Sequence, residues 1–135
     1  MKLLEIKVNY ERQTGEDNPG LVREIYLVES LNPSNAEAIV TEELKPFIFG
    51  ELEVEHIINR NFFDVFPNLG AEHWYKCRAE LLTIDGDKES RRTVPVMVQA
   101  NTIDDALQIV KSKMCGYDCE ILSVAKTPVL DLLKA

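Results

Sequence analysis

SNAEAIVTEEL, residues 34–44, reads as an amphipathic helix, and DDALQIVKSKM, residues 104–114, repeats it at a spacing of 70. In that register Ala36 meets Ala106, Ile39 meets Ile109, Val40 meets Val110 and Leu44 meets Met114. These apolar positions recur at i, i+3, i+4 and i+8, which is one face of a helix with 3.6 residues per turn. Glu37, Thr41 and Glu42 fall off that face. Two helices with the same buried face at the same internal positions point to one structural unit written twice.

The flanking sequence extends the match. LLEIKVNY puts Leu4, Ile6, Val8 and Tyr10 on one side and Glu5, Lys7 and Asn9 on the other, the period of a half-buried strand. QTGEDNPG is dense in turn formers and predicts a hairpin loop, after which LVREIYLVES predicts the return strand. Asn32 can cap the first helix, Pro33 suits its first turn, and ELEVEHII supplies a third strand before the aromatic segment NRNFFDVF. In the second half, WYKCRAELLTI, a turn at Asp85-Gly86, RRTVPVMVQA, a helix capped by Thr102, DCEILSVA and TPVLDLL follow the same order. After a three-residue deletion Glu53 meets Glu120 and Asp64 meets Asp131, so FDVF and LDLL become counterparts.

The fold class predicted is α+β: two pseudo-symmetric β-β-α-β repeats, about 1–67 and 73–135, in a single domain with about six strands and one helix per repeat. A right-handed helical crossover makes strand three parallel to strand two, which gives the order 3-1-2. Whether the repeats share one sheet or pack as two is left open. Pro95 has no N–H to give a ladder, so its strand is expected at an edge or bulged there.

Composition narrows function. At 135 residues the chain can bury roughly two-thirds of its surface. No apolar run reaches the ~18 residues of a membrane helix. MKLLEIKVNY alternates apolar and charged residues rather than forming a signal sequence, so we expect a cytoplasmic protein. A net charge of −8 disfavours nucleic acid as a partner. Cys77, Cys115 and Cys119 are an odd number, which argues against a disulfide scaffold.

YLVESLNPSNAEAIVTEEL, FGELEVEHI, WYKCRAELLTID, MVQANTIDDALQIV and DCEILSVAKTPVLDLL together resemble an uncharacterised bacterial and bacteriophage family of unknown function. Its pattern carries Gly-Glu-Phe-Glu-Val, matched by Gly50, Glu51, Leu52, Glu53 and Val54 with Leu52 for Phe, and Trp-Tyr-Lys, matched by Trp74, Tyr75 and Lys76. It closes on Thr-Pro-Ile-hydrophobic-Asp-Val-Phe, matched at Thr127 and Pro128, although this chain ends VLDLLKA without the aromatic. The resemblance implies the fold and a bacterial or phage origin. It implies no activity and no catalytic residue.

Catalysis finds little support. The two histidines, His56 and His73, stand in no nucleophile motif, and no Gly-x-x-x-x-Gly-Lys phosphate loop occurs. Cys115 and Cys119 have a zinc-like spacing, but Cys77 alternates with core positions and no metal or other cofactor is predicted. The expectation is a non-enzymatic interaction protein. Its protein partner, or a second copy in a homo-oligomer, would engage Phe62, Phe63 and Phe66, the closing segment VLDLL, or a sheet edge. The alternative is a small-ligand binder of nucleotide type, for example a phage anti-defence protein, with Trp74 and Tyr75 stacking and Arg60, Arg91 and Arg92 holding phosphate. The competing reading of Trp74 is a core residue, that of the phenylalanines a cover for the sheet, and that of Arg91 and Arg92 a solvated hairpin.

Overall fold

Alternation sets the inner face of the first hairpin. In the computed structural model, which describes residues 2–12 and 20–134, Leu4, Ile6, Val8 and Tyr10 of β1 (Lys2–Arg12) are buried, as the period-two pattern requires. The predicted loop QTGEDNPG lies, apart from Gly20, outside the described residues. β2 (Gly20–Ser30) returns antiparallel, with Ile6 opposite Tyr26 and Val8 opposite Glu24. Asn32 then caps α1 (Pro33–Leu44), its side chain accepting the Asn35 N–H at 2.8 Å. Ala36, Val40 and Leu44 are the buried helix residues, and they pack on the β1–β2 face. A single 3-10 turn at Lys45–Phe47 leads into β3 (Ile48–Asn59), which pairs antiparallel with β1.

The second half follows the same route. β5 (His73–Asp85) and β6 (Lys88–Ala100) form a hairpin, with Cys77 opposite Val96 and Ala79 opposite Val94. Gly86, at φ +63°, takes the first central position of the turn, a backbone region that strains other residues. Thr102 caps α2 (Ile103–Lys113) through the Asp105 N–H at 3.1 Å. Ala106, Val110 and Met114 pack against Tyr75, Cys77, Ala79, Val96 and Val98. β7 (Cys119–Lys126) pairs antiparallel with β5. The expected order of three strands therefore holds in both sheets, with β3 beside β1 and β7 beside β5.

The strand count differs from expectation. Among the described residues there are eight strands in two four-stranded sheets, because the closing segments are themselves strands: β4 (Asp64–Phe66) and β8 (Val129–Lys134). Their partners differ from the sequence reading as well. Chain order places FDVF in the first half, yet β4 pairs parallel with β6; it places VLDLL in the second, yet β8 pairs parallel with β2. The sheet orders are β3-β1-β2-β8 and β4-β6-β5-β7. The compact units are accordingly Met1–Arg60 with Pro128–Ala135 (unit 1) and Asn61–Thr127 (unit 2), rather than 1–67 and 73–135.

Pro95 does not lie at a sheet edge or a bulge as expected: β6 is an inner strand between β4 and β5, and its pairing with β5 runs unbroken through Pro95. Its carbonyl accepts the Phe63 N–H at 2.8 Å, so its backbone polar groups point to the β4 side. β4 begins to pair only at Val96, so the missing N–H deprives no ladder partner.

Candidate functional site

Glu24 breaks the inward alternation of β2. Val22, Glu24, Tyr26, Val28 and Ser30 share one face, and the Glu24 side chain is only 10% exposed. A carboxylate buried to this degree needs partners. It has three. The Tyr10 hydroxyl donates to Oε1 in a short hydrogen bond, the Tyr26 hydroxyl donates to the same oxygen at 3.1 Å, and Arg12 Nη1 reaches Oε2 at 3.3 Å. Arg12 also donates to the Tyr10 oxygen at 3.3 Å and lies 4.8 Å from the centre of the Phe47 ring.

The cluster changes the acidity of its tyrosines. Burial, reinforced by the Glu24 hydrogen bond and charge, pushes the Tyr10 hydroxyl up to about 12. Burial followed by the Glu24 charge pushes Tyr26 up as well. Both are therefore hydrogen-bond donors throughout the neutral range.

The cluster opens onto a pocket of about 380 Å³ within unit 1. It is lined by Arg12, Glu24 and Tyr26 of the hairpin, by Glu43, Leu44 and Phe47 at the end of α1, and by Leu130, Asp131 and Leu133 of β8. Among the described residues the lining thus carries three carboxylates and one guanidinium.

Unit 2 provides an internal comparison. The ladder between β1 and β3 slips between Lys7 and Val8 and again between Asn9 and Glu11; that between β5 and β7 slips between Arg78 and Ala79, the counterpart of the first. Aligning those bulges, Val8 corresponds to Ala79, and their partners Glu24 and Val94 correspond in turn. Tyr10 then corresponds to Leu81 and Tyr26 to Val96. Every member of the triad is apolar and buried in unit 2.

The residues singled out in the sequence are placed elsewhere. Trp74 and Tyr75 are adjacent on β5 and so point to opposite faces. Tyr75 belongs to the core under α2, 3% exposed, and Trp74 is 1% exposed, so neither offers an open stacking surface. The Trp74 indole N–H meets no acceptor among the described residues, while its carbonyl accepts from Thr127 N and Oγ1 at 2.9 and 2.8 Å. Arg60 is bound to Glu5 at 3.1 Å in unit 1, beside His56 on the same carboxylate. Arg91 is paired with Glu80 at 3.0 Å in unit 2. Phe63 and Arg92 do come together, the guanidinium 5.9 Å from the ring centre, with Tyr117 edge-on to Phe63 at 5.4 Å. Phe62 and Phe66 are half-buried, Phe66 against the unit 2 core.

The cysteines do not converge either. Cys77 is buried and its thiol is pushed up to about 11 by that burial, Cys115 is exposed, and Cys119 is half-buried. Among the described residues no three His, Cys, Asp or Glu side chains are grouped as metal ligands would be. No helix among them is long and apolar enough to cross a membrane.

The sequence profile of a domain of unknown function, DUF4494, matches residues 2–135. The chain belongs to the DUF4494 family. No curated protein and no solved structure matches it. The DUF4494 membership agrees with the resemblance noted above in its central feature, a family without an assigned activity. The Glu24 cluster was missed there, although its signal was present: one acidic residue in the apolar phase of the strand 22–30.

Proposed function

We propose that the chain is a non-enzymatic binding protein whose ligand is a small molecule held in the unit 1 pocket beside Glu24. The observation that carries this reading is the contrast with Leu81, Val94 and Val96. The same sheet register is filled by apolar side chains in unit 2, so packing does not demand a buried carboxylate. A buried ionic group adds little stability over well-packed apolar residues. It does supply fixed donors and acceptors to a concave site. Among the described residues no histidine or cysteine lines the pocket, and its one tyrosine, Tyr26, keeps its proton, which suits recognition more than proton transfer.

The charge balance favours a ligand with an amine, a guanidinium or several donors over a phosphorylated one. With Arg12 paired to Glu24, the lining keeps two further carboxylates, Glu43 and Asp131. This speaks against the nucleotide form of the ligand reading. Within one chain both closing segments are strands of a sheet, so neither is a free apolar tail for an unrelated protein partner. The outer strand β3 carries exposed Glu51, Glu53 and Glu55, charges that discourage edge pairing.

We also infer that the two units descend from one duplicated β-β-α-β segment. Matching bulges, hairpin registers, helix caps and an aspartate in each closing strand support this. Duplication leaves the two copies free to vary their cores, and unit 1 is the copy that carries the cluster.

A thermal-shift panel tests the function. It contains polyamines, amino-acid amines and guanidinium compounds beside a matched set of nucleotides. A ligand at a hundredfold over its Kd stabilises by about 2.7 kcal/mol. The expected result is a shift from the cationic set that Glu43→Lys weakens. A response to nucleotides alone, or to neither set, refutes it.

A further inference from the structure

Each sheet receives its fourth strand from the other half of the chain. β8 directly follows Thr127, the last residue of unit 2, yet it completes the unit 1 sheet; β4 follows Arg60, in unit 1, by only a few residues and completes the unit 2 sheet. The two donors present the same chemistry to their acceptors. Asp131 lies opposite Tyr26 and Asp64 opposite Val96, and each aspartate Oδ1 accepts the N–H of the next residue at 2.8 Å. Leu133 and Phe66 lie opposite Val28 and Val98 and pack into the helix-side cores. An acceptor edge that is filled by exchange within the chain recognises a strand by register and side-chain pattern, whichever molecule delivers it.

We propose that the edge of β2 also accepts β8 from a second copy, so that two chains assemble by exchanging this strand. The link between donor and unit 2 is short, Thr127-Pro128, and short linkers between exchangeable elements favour swapping. The partner copy also contributes to a site: Leu130, Asp131 and Leu133 are pocket wall, so each pocket of the exchanged dimer is closed by the other chain's strand. The exchange does not depend on the ligand proposed above.

The test uses the parallel register of Glu29 with Lys134, whose side chains form an ion pair at 3.6 Å. Neighbouring strands run about 4.8 Å apart, within reach of a disulfide. Full-length Glu29→Cys and Lys134→Cys chains, each carrying Cys115→Ser, are refolded together and oxidised. Neither can form this crosslink alone. The expected product is a two-chain species joined between positions 29 and 134, in excess of both homodimers, as read by mass spectrometry. The double variant in one chain serves as the cis control. If it closes in cis while the mixture gives only a statistical distribution, or no dimer, the proposal falls. If the cis control does not close, light scattering of the native chain refolded over a concentration series decides. A second species of twice 15.4 kDa that grows with concentration supports exchange, and pure monomer overturns it.

Discussion

Replacing Glu24 by leucine should destabilise the chain, and removing its tyrosine hydroxyls as well should restore it. Tyr10 and Tyr26 are 2% and 7% exposed, so Glu24→Leu deprives two largely buried hydroxyls of their acceptor. Each orphaned hydroxyl costs about 1–2 kcal/mol. Arg12 is 38% exposed by side chain and regains water, so losing its ion pair adds less than about 1 kcal/mol. The net loss expected is about 2–4 kcal/mol. The triple variant Tyr10→Phe, Glu24→Leu, Tyr26→Phe keeps the ring volumes and leaves no buried donor unpaired, so it should return to within about 1 kcal/mol of the native chain. Urea unfolding followed by far-ultraviolet circular dichroism reads both changes. The single tryptophan, Trp74, lies in unit 2, so its fluorescence reports that unit. Where the two signals do not coincide, the loss belongs in the transition seen by dichroism alone. An unchanged midpoint for Glu24→Leu refutes the account of the cluster, and so does a triple variant as unstable as the single one. The ligand reading adds that the restored triple variant no longer responds to the compound that shifts the native chain.

Two further outcomes follow from acidity and burial. Tyr10 holds its proton to about 12 in the folded chain against 10.0 ordinarily. Its contribution to stability is therefore complete below pH 10 and is lost as the pH climbs towards 12, because the unfolded chain ionises first; tyrosinate absorbance should show one fewer late step in Tyr10→Phe, and an unchanged profile would contradict the assignment. Cys77 lies on the inner strand β5 with its thiol pushed up to about 11, whereas Cys115 is exposed. A thiol-reactive dye should label Cys115 quickly and reach Cys77 only on unfolding, and rapid loss of the Cys77 thiol from the native chain would show that β5 is not enclosed by its neighbours.

Much of this architecture is legible in the sequence because it is written in local periods. Leu4, Ile6, Val8 and Tyr10 alternate, and Ala36, Val40 and Leu44 recur at helical spacing. Both patterns report burial directly. Asn32, Thr102 and the Asp85-Gly86 turn mark where elements stop. The closing strands escape because their pairing is parallel and distant. β4 has three residues and β8 six, too few to show a period, and no turn joins either to its partner. Chain order alone assigns them to the wrong sheet. Trp74 and Tyr75 mislead for a different reason: adjacent aromatics suggest a shared surface, but one strand sends them to opposite faces. Glu24 was readable as a charge in an apolar phase, yet its value appears only when Tyr10 and Arg12 arrive from the neighbouring strand.

The two cores differ mostly in one direction, with buried Leu4 against buried Tyr75 as the opposite case. Ser30 corresponds to Ala100 as Tyr10, Glu24 and Tyr26 correspond to Leu81, Val94 and Val96, so four buried or nearly buried positions are polar in unit 1 and apolar in unit 2. Drift alone would scatter such changes over the core. Instead three of them meet through one carboxylate, and that carboxylate lies where β8 passes. At the matching place in unit 2, β4 brings Phe66 against Val98, and Phe63 stacks edge-on with Tyr117. A branched aliphatic residue, Leu133, stands where Phe66 stands, with Asp131 beside it. The pocket thus needs both departures at once, a polar sheet face and a slimmer donor strand. Each is costly or neutral to packing by itself. Their coincidence at one spot is the physical reason to place recognition in unit 1 rather than at the aromatic segment of unit 2.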